Sequence, residues 1–191
     1  YTTDLADDES LTLGKGVILP RKGINELRRL LAETTDKYVE VAVTGTNACF
    51  RLNDTTLFMR LVVGEFPDYT AVIPKANKKK LVMSRNTLAE SLKRVSLLSE
   101  GKSKCVRFGI RGGGVHLAAT SPELGEADEE IQGEFDGGEM QIGFNARYIL
   151  DALSAIDGEK VLLELDHEQS PGIVRAPEDA SFLGVVMAMR I

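Results

Sequence analysis

Three groups of residues have the types from which chemistry is made. Gly101-Lys102-Ser103 matches the end of a phosphate-binding loop, in which backbone amides cradle phosphates and a lysine reaches them. Asp166-His167-Glu168 sets two carboxylates beside an imidazole, which are metal-ligand types. The 29 acidic residues could also supply a pair for general acid and base work. Each fails on its surroundings. The phosphate loop needs another glycine five positions before Gly101, where Ser96 stands, and a preceding strand where a helix is predicted. Adjacent residues at a strand end point to opposite faces, and the other histidine, His116, is distant, so 166–168 reads as a turn. No carboxylate lies in an apolar setting that would raise its pKa. The residues therefore point to binding rather than catalysis, with a carboxylate-dependent α+β hydrolase as the rival class.

What remains is a set of cations and an apolar chain end. Arg21, Lys22, Arg28, Arg29, Arg85, Lys93, Arg94 and Arg147 fall on predicted helices or their first residues, where they outnumber Glu26, Glu33, Glu90 and Asp151. The formal net charge is nevertheless -6, which argues against a protein that coats nucleic acid on all sides. The compensating acids include Glu123, Glu126, Asp128, Glu129, Glu130 and Glu134, on the loop and strand side. Cations on one face, with few aromatics, suit a duplex backbone contacted without sequence preference; ordinary solvated helix faces are the alternative. The ending Val185-Val186-Met187-Ala188-Met189-Arg190-Ile191 stays apolar where ends usually fray into polar tails. Its methionines offer an adaptable surface for partners, while a last strand closing a sheet would fit equally well.

The elements that position these residues recur as three weakly similar copies with a period of roughly sixty residues. Each copy reads strand, helix, then three strands. The first has strands at 17–19, 38–43, 48–52 and 57–63 with a helix from Ile24 to Ala32. The second has strands at 81–83, 105–110, 115–120 and 129–135 with a helix over 88–98. The third has strands at 140–142, 161–165, 172–175 and 183–190 with a helix over 148–156. Ile24, Leu88 and Ile149 stand four after Pro20, Ser84 and Asn145, and Leu31, Val95 and Ile156 follow each by seven, so one apolar stripe recurs. Proline, serine and asparagine are accepted at helix starts, the last two because they bond an orphan amide. One helix covers only part of a four-stranded sheet, so copies should pair: the second and third into a domain with both helices on one side. The first copy would be half of another domain. Between them, Gly64 to Pro74 carries Pro67 and Pro74 and should run extended over a surface.

A hydrophobic content of 43% supplies a core, and no apolar run is long enough for a bilayer. Cys49 and Cys105 lie in no metal or redox spacing and read as reduced thiols, so a cytoplasmic setting is expected.

Gly16-Val17-Ile18-Leu19-Pro20-Arg21-Lys22-Gly23, Gly64-Glu65-Phe66-Pro67-Asp68-Tyr69, Ile142-Gly143-Phe144-Asn145 with Tyr148, and the Val-Val-Met-Ala-Met-Arg-Ile ending occur in one order. In these stretches the chain resembles the bacterial DNA polymerase III beta subunit, the beta sliding clamp family. The resemblance implies an α+β DNA-clamp fold of repeated β-α-β-β-β units, helices on the inner face and antiparallel sheets on the other. It further implies the second half of a middle domain over 1–66, a connector over 67–74 and a complete third domain over 75–191. The first domain and the front of the middle one, with the family's Thr-Asp-Gly-His-Arg stretch, are expected to be missing, so a ring should not close from this chain alone.

The implied function is non-catalytic: a cytoplasmic, nucleoid-associated processivity factor without cofactors that encircles duplex DNA as a ring of two chains. Partners would be the replicative polymerase alpha subunit, the clamp loader and repair polymerases, docking short peptides. By resemblance their pocket comprises Pro67, Ala71, Val72, Asn145, Tyr148, Pro171, Val185, Val186, Met187, Ala188, Met189, Arg190 and Ile191. The eight helical cations would face DNA, and Leu97 and Leu98 would lie at the dimer contact. Ala188 replaces a usual proline, and Ala71 and Ser103 replace larger side chains, which implies a looser tail and a shallower pocket. A clamp-like peptide-binding module that never encircles DNA is the nearer alternative.

Overall fold

The computed structural model describes residues 16–35, 38–66, 68–74, 77–99 and 104–191. The chain divides into two units, residues 2–68 and 69–191.

In the first unit, α1 (Arg21–Glu33) lies on a three-stranded antiparallel sheet of β1 (Glu40–Thr44), β2 (Asn47–Leu52) and β3 (Thr55–Arg60). Pro20 has no amide to satisfy and precedes the helix in extended conformation. Alternation along β2 sends Ala48, Phe50 and Leu52 into a small core with Met59. Gly23 lets the helix approach closely, since a Cβ there would meet Met59 Sδ at 2.7 Å. The helix has no fully buried residue, and Ile24 and Leu31 of its apolar stripe stay exposed. The strand expected at 17–19 is reduced to a single bridge between Ile18 and Val62: Pro20 ends the run and β3 has already stopped at Arg60.

The second unit is an antiparallel eight-stranded sheet carrying α2 (Arg85–Val95) and α3 (Ala146–Ser154). Its strands are β4 (Lys79–Ser84), β5 (Cys105–Arg111), β6 (Gly114–Ser121), β7 (Gly125–Asp136), β8 (Met140–Asn145), β9 (Lys160–Leu165), β10 (Gly172–Ala176) and β11 (Asp179–Val186). Both helix starts are capped as their residue types dictate. Ser84 Oγ accepts the Thr87 amide at 3.3 Å and Asn145 Oδ1 accepts the Arg147 amide at 2.9 Å. Leu88, Leu92 and Val95 of α2 and Ile149 and Leu153 of α3 share one core with Phe108 and Phe144, whose rings meet edge to face at 5.4 Å.

Strand order β11-β10-β9-β4-β7-β6-β5-β8 shows that the two copies interlock. The first strand of the second copy, β4, lies between β9 of the third copy and β7 of its own, pairing four residues with β7 from Lys80–Asp136 to Met83–Gly133. The equivalent strand of the third copy, β8, pairs with β5 on one side. On its other side, among the described residues, it meets the segment after β11 through a single bridge in which the Met189 amide donates to the Gly143 carbonyl at 2.8 Å. One seam is zipped and its counterpart is held by one bond. The last strand therefore ends at Val186, short of the 183–190 expected, because Met187 and Ala188 find no ladder partner among the described residues.

Candidate functional site

The chain end is the centre of the site. β11 delivers it: Val186 pairs with Gly172 and is buried, so this member of the implied pocket belongs to the core and positions its neighbours rather than offering surface. Beyond it Met187 is 59% exposed and Ile191 62%, high values for large apolar side chains, while Ala188 packs against the core. Gly143 fixes the path of the tail, because a Cβ on it would meet Met189 O at 2.9 Å and Cys105 Sγ at 3.2 Å. The cap that starts α3 also holds Asn145 beside this bridge, and Tyr148 stands on the first turn of α3, 59% exposed. Val185 and Arg190 flank the same segment, half-buried and exposed respectively.

Pro171 is reached by a residue that pattern reading had missed. Asn77 Nδ2 donates to Glu164 O at 2.8 Å and to Pro171 O at 3.0 Å, so the segment leading into β4 is pinned to the end of β9 and the β9–β10 connection. Its only signal in the sequence is an asparagine just before a lysine run. Tyr69–Ala71 forms a single 3-10 turn, with Ala71 at its end and Val72 just after it both exposed; Pro67 lies outside the described residues. Leu97 is 74% exposed and Leu98 half-buried in the short 3-10 turn after α2.

Among the eight helical cations the structure separates two states. Arg29 bridges Glu26 at 2.6 Å and Glu33 at 2.7 Å along α1, and these carboxylates raise its pKa. Arg94 is held by Glu129, Nε to Oε1 at 2.6 Å and Nη2 to Oε2 at 2.7 Å. Arg85 starts α2 but turns inward: Nη1 donates to Leu153 O at the end of α3 at 3.3 Å, and its Nε is buried without a partner among the described residues. Arg21, Lys22, Arg28, Lys93 and Arg147 are exposed and make no ion pair among the described residues. Among the described residues no α-helix has an acidic residue in its first turn, whereas Arg21, Lys22, Arg85 and Arg147 all sit there. Cations at helix N-termini oppose the macrodipole, so helix stability does not account for them.

Glu129 departs from the acidic exterior to which its neighbours belong. Along β7 the residues alternate, sending Glu126, Asp128, Glu130 and Glu134 outward, while Glu129 stands on the helix side with Ile131. The Arg94 hydrogen bond, helped by Ser91, lowers its pKa from the ordinary 4.5 to about 2. A depressed carboxylate pKa contributes stability that is full above the unfolded value and lost as pH falls through the folded one. Thermal melts of the chain and of Glu129→Gln should therefore differ by a constant amount above pH 5 and converge between about pH 4.5 and 2. A gap unchanged down to pH 2 would refute the pairing.

Of the rejected motifs, 167–170 is a turn closed by the Ser170 amide on His167 O at 3.0 Å, and 101–103 lies outside the described residues. Among the described residues no helix is long and apolar enough to cross a membrane.

Interlocked strand-helix copies, basic helix starts and an apolar, half-pinned end define a clamp-type α+β protein. Residues 5–68 match the central domain of the DNA polymerase III beta subunit, and residues 70–190 its C-terminal domain. The beta sliding clamp of Pseudomonas aeruginosa is 38% identical over 175 residues, and that of Caulobacter vibrioides 35% over 176, in each case 92% of this chain and 47% of the relative. Among solved structures, the Bartonella birtlesii sliding clamp bound to griselimycin superposes with a TM-score of 0.84 at 32% identity, covering 93% of this chain and 48% of that one. The Pseudomonas aeruginosa clamp with ligand gives 0.82 at 38%, covering 92% and 48%. The chain belongs to the DNA polymerase III beta subunit family, and it spans about half the length of the curated relatives it matches.

Proposed function

We propose that this chain supplies the C-terminal part of a non-catalytic sliding clamp, which keeps the replicative polymerase on duplex DNA by enclosure and recruits partners through short peptides. The observation that carries the reading is the chain end, held across an open seam by one hydrogen bond with Met187 exposed. Residues 1–66 act as the second half of a middle domain and 75–191 as the third. The pocket is formed by Met187, Ala188, Met189, Arg190 and Ile191 together with Asn145, Tyr148, Pro171, Val185 and the connector residues Pro67, Ala71 and Val72. Apolar anchors of a Gln-Leu-rich, Phe-ending peptide bury there, and such anchors dominate the affinity of small interfaces. Arg21, Lys22, Arg28, Lys93 and Arg147 track phosphates, with Arg29, Arg85 and Arg94 in supporting roles. Leu97 and Leu98 meet a second clamp chain. The setting is the cytoplasm, at the nucleoid.

The test is a fluorescence-polarisation titration of a labelled peptide of that type. Met187→Lys should weaken binding at least about tenfold, because a charge then stands where an apolar anchor must lose water. Equal binding by the two proteins would overturn the pocket.

A further inference from the structure

The tail has a second side. Met189, Arg190 and Ile191 also wall a groove of about 1030 Å³ on the sheet face away from the helices. Its floor exists because a side chain is missing. In the row formed across β6, β5 and β8, His116 and Gln141 stand to either side of Gly109. A Cβ at Gly109 would make only ordinary contacts, 3.7 Å and 3.8 Å to His116, and the residue has no positive φ. Neither packing nor backbone conformation therefore requires glycine there, and a larger residue would stand up from the groove floor.

The charges lining it are unevenly matched. Arg111 is committed to Glu130, and His116 lies 3.2 Å from Asp128. Glu139 and Glu168, which also line the groove, have no ion-pair partner among the described residues, and they face one cation in the same state, Arg190. Glu126 and Glu134, outward acids of β7 with no ion-pair partner among the described residues, add to the negative field.

We propose that this groove is an annex of the peptide pocket that takes a lysine or arginine flanking the apolar anchor of a bound peptide, with Glu139 and Glu168 as its counter-charges. The proposal rests on the peptide-binding reading above and adds a rule of partner selection: among peptides with the same anchor, those with a basic flank are preferred and those with an acidic flank are disfavoured.

The experiment titrates the chain with labelled peptides that share one anchor and carry a Lys-Lys, Ala-Ala or Glu-Glu pair at either end. At one end the Lys-Lys peptide should bind about three- to tenfold tighter than the Ala-Ala peptide, the range expected of two solvent-accessible ion pairs, and Glu-Glu weaker. Gly109→Tyr, which a strand accepts, and the double variant Glu139→Gln with Glu168→Gln should each abolish that preference while leaving Ala-Ala binding unchanged. Glu123→Gln with Glu126→Gln, off the groove, should preserve it. The annex is overturned if neither Lys-Lys peptide is preferred, if the preference survives Gly109→Tyr, or if the distant pair of substitutions removes it equally. If the Ala-Ala peptide fails to bind, or binds Met187→Lys equally well, the pocket reading falls and the annex with it.

Discussion

Gly143→Ala is expected to leave the eight-stranded sheet folded and to reduce peptide affinity about tenfold. The new methyl would stand 2.9 Å from Met189 O and 3.2 Å from Cys105 Sγ, closer than carbon atoms sit, so the tail must retreat from β8. Retreat breaks the 2.8 Å bond from the Met189 amide to Gly143 O, the one bridge that closes this seam. A hydrogen bond contributes about 0.5–1.5 kcal/mol, so the sheet survives without it. In the proposed peptide pocket the surface does not survive, because Met187 and Met189 would be aimed by that bond, and about 1.4 kcal/mol of misplacement is tenfold in affinity. Hydrogen exchange at the Met189 amide gives an independent reading: it should lose protection in Gly143→Ala while the β4 amides keep theirs. Unchanged affinity together with an unchanged Met189 amide would refute the positioning role.

The second large effect concerns DNA. In the complete protein bound to linear duplex, replacing Arg21, Lys22, Arg28, Lys93 and Arg147 by glutamine should reduce the slope of log affinity against log salt by about 0.9 for each phosphate that is no longer neutralised. Replacing Arg29 and Arg94 should reduce it less per residue, since their guanidinium groups already hold Glu26, Glu33 and Glu129. Equal changes per residue in the two sets would erase the distinction between free and committed cations. Unaltered processivity in the five-residue variant would favour a peptide-binding module that does not enclose DNA.

Much of the fold is legible in the sequence because it is local. The stripe through Leu88 and Val95, the capping residues Ser84 and Asn145, and the alternation of β5 and β6 each announce an element within a few residues. Alternation could also have turned Glu129 toward the helices, since Ile131 is two positions away, but a run taken for its charge conceals its period. The insertion of β4 between β9 and β7 is not legible, because pairing across some eighty residues leaves no nearby mark. The commitments of Arg85 to Leu153 O and of Asn77 to Pro171 O are hidden for the same reason. In the candidate site, the residue types of the tail mark it as unusual, while its single point of attachment emerges only from the fold.

That attachment bears on how a duplicated unit divides its labour. Two copies that interlock by the same rule create two equivalent joints, at β4 and at β8. The four residue pairs at β4 commit that joint to holding the domain together. The lone bond at β8 leaves the other joint with little to contribute to the sheet, so substitutions at the exposed Met187 and Ile191 should cost the fold less than substitutions in β4. In the peptide-binding reading proposed above, the less committed of the two joints is the one left over to meet a partner.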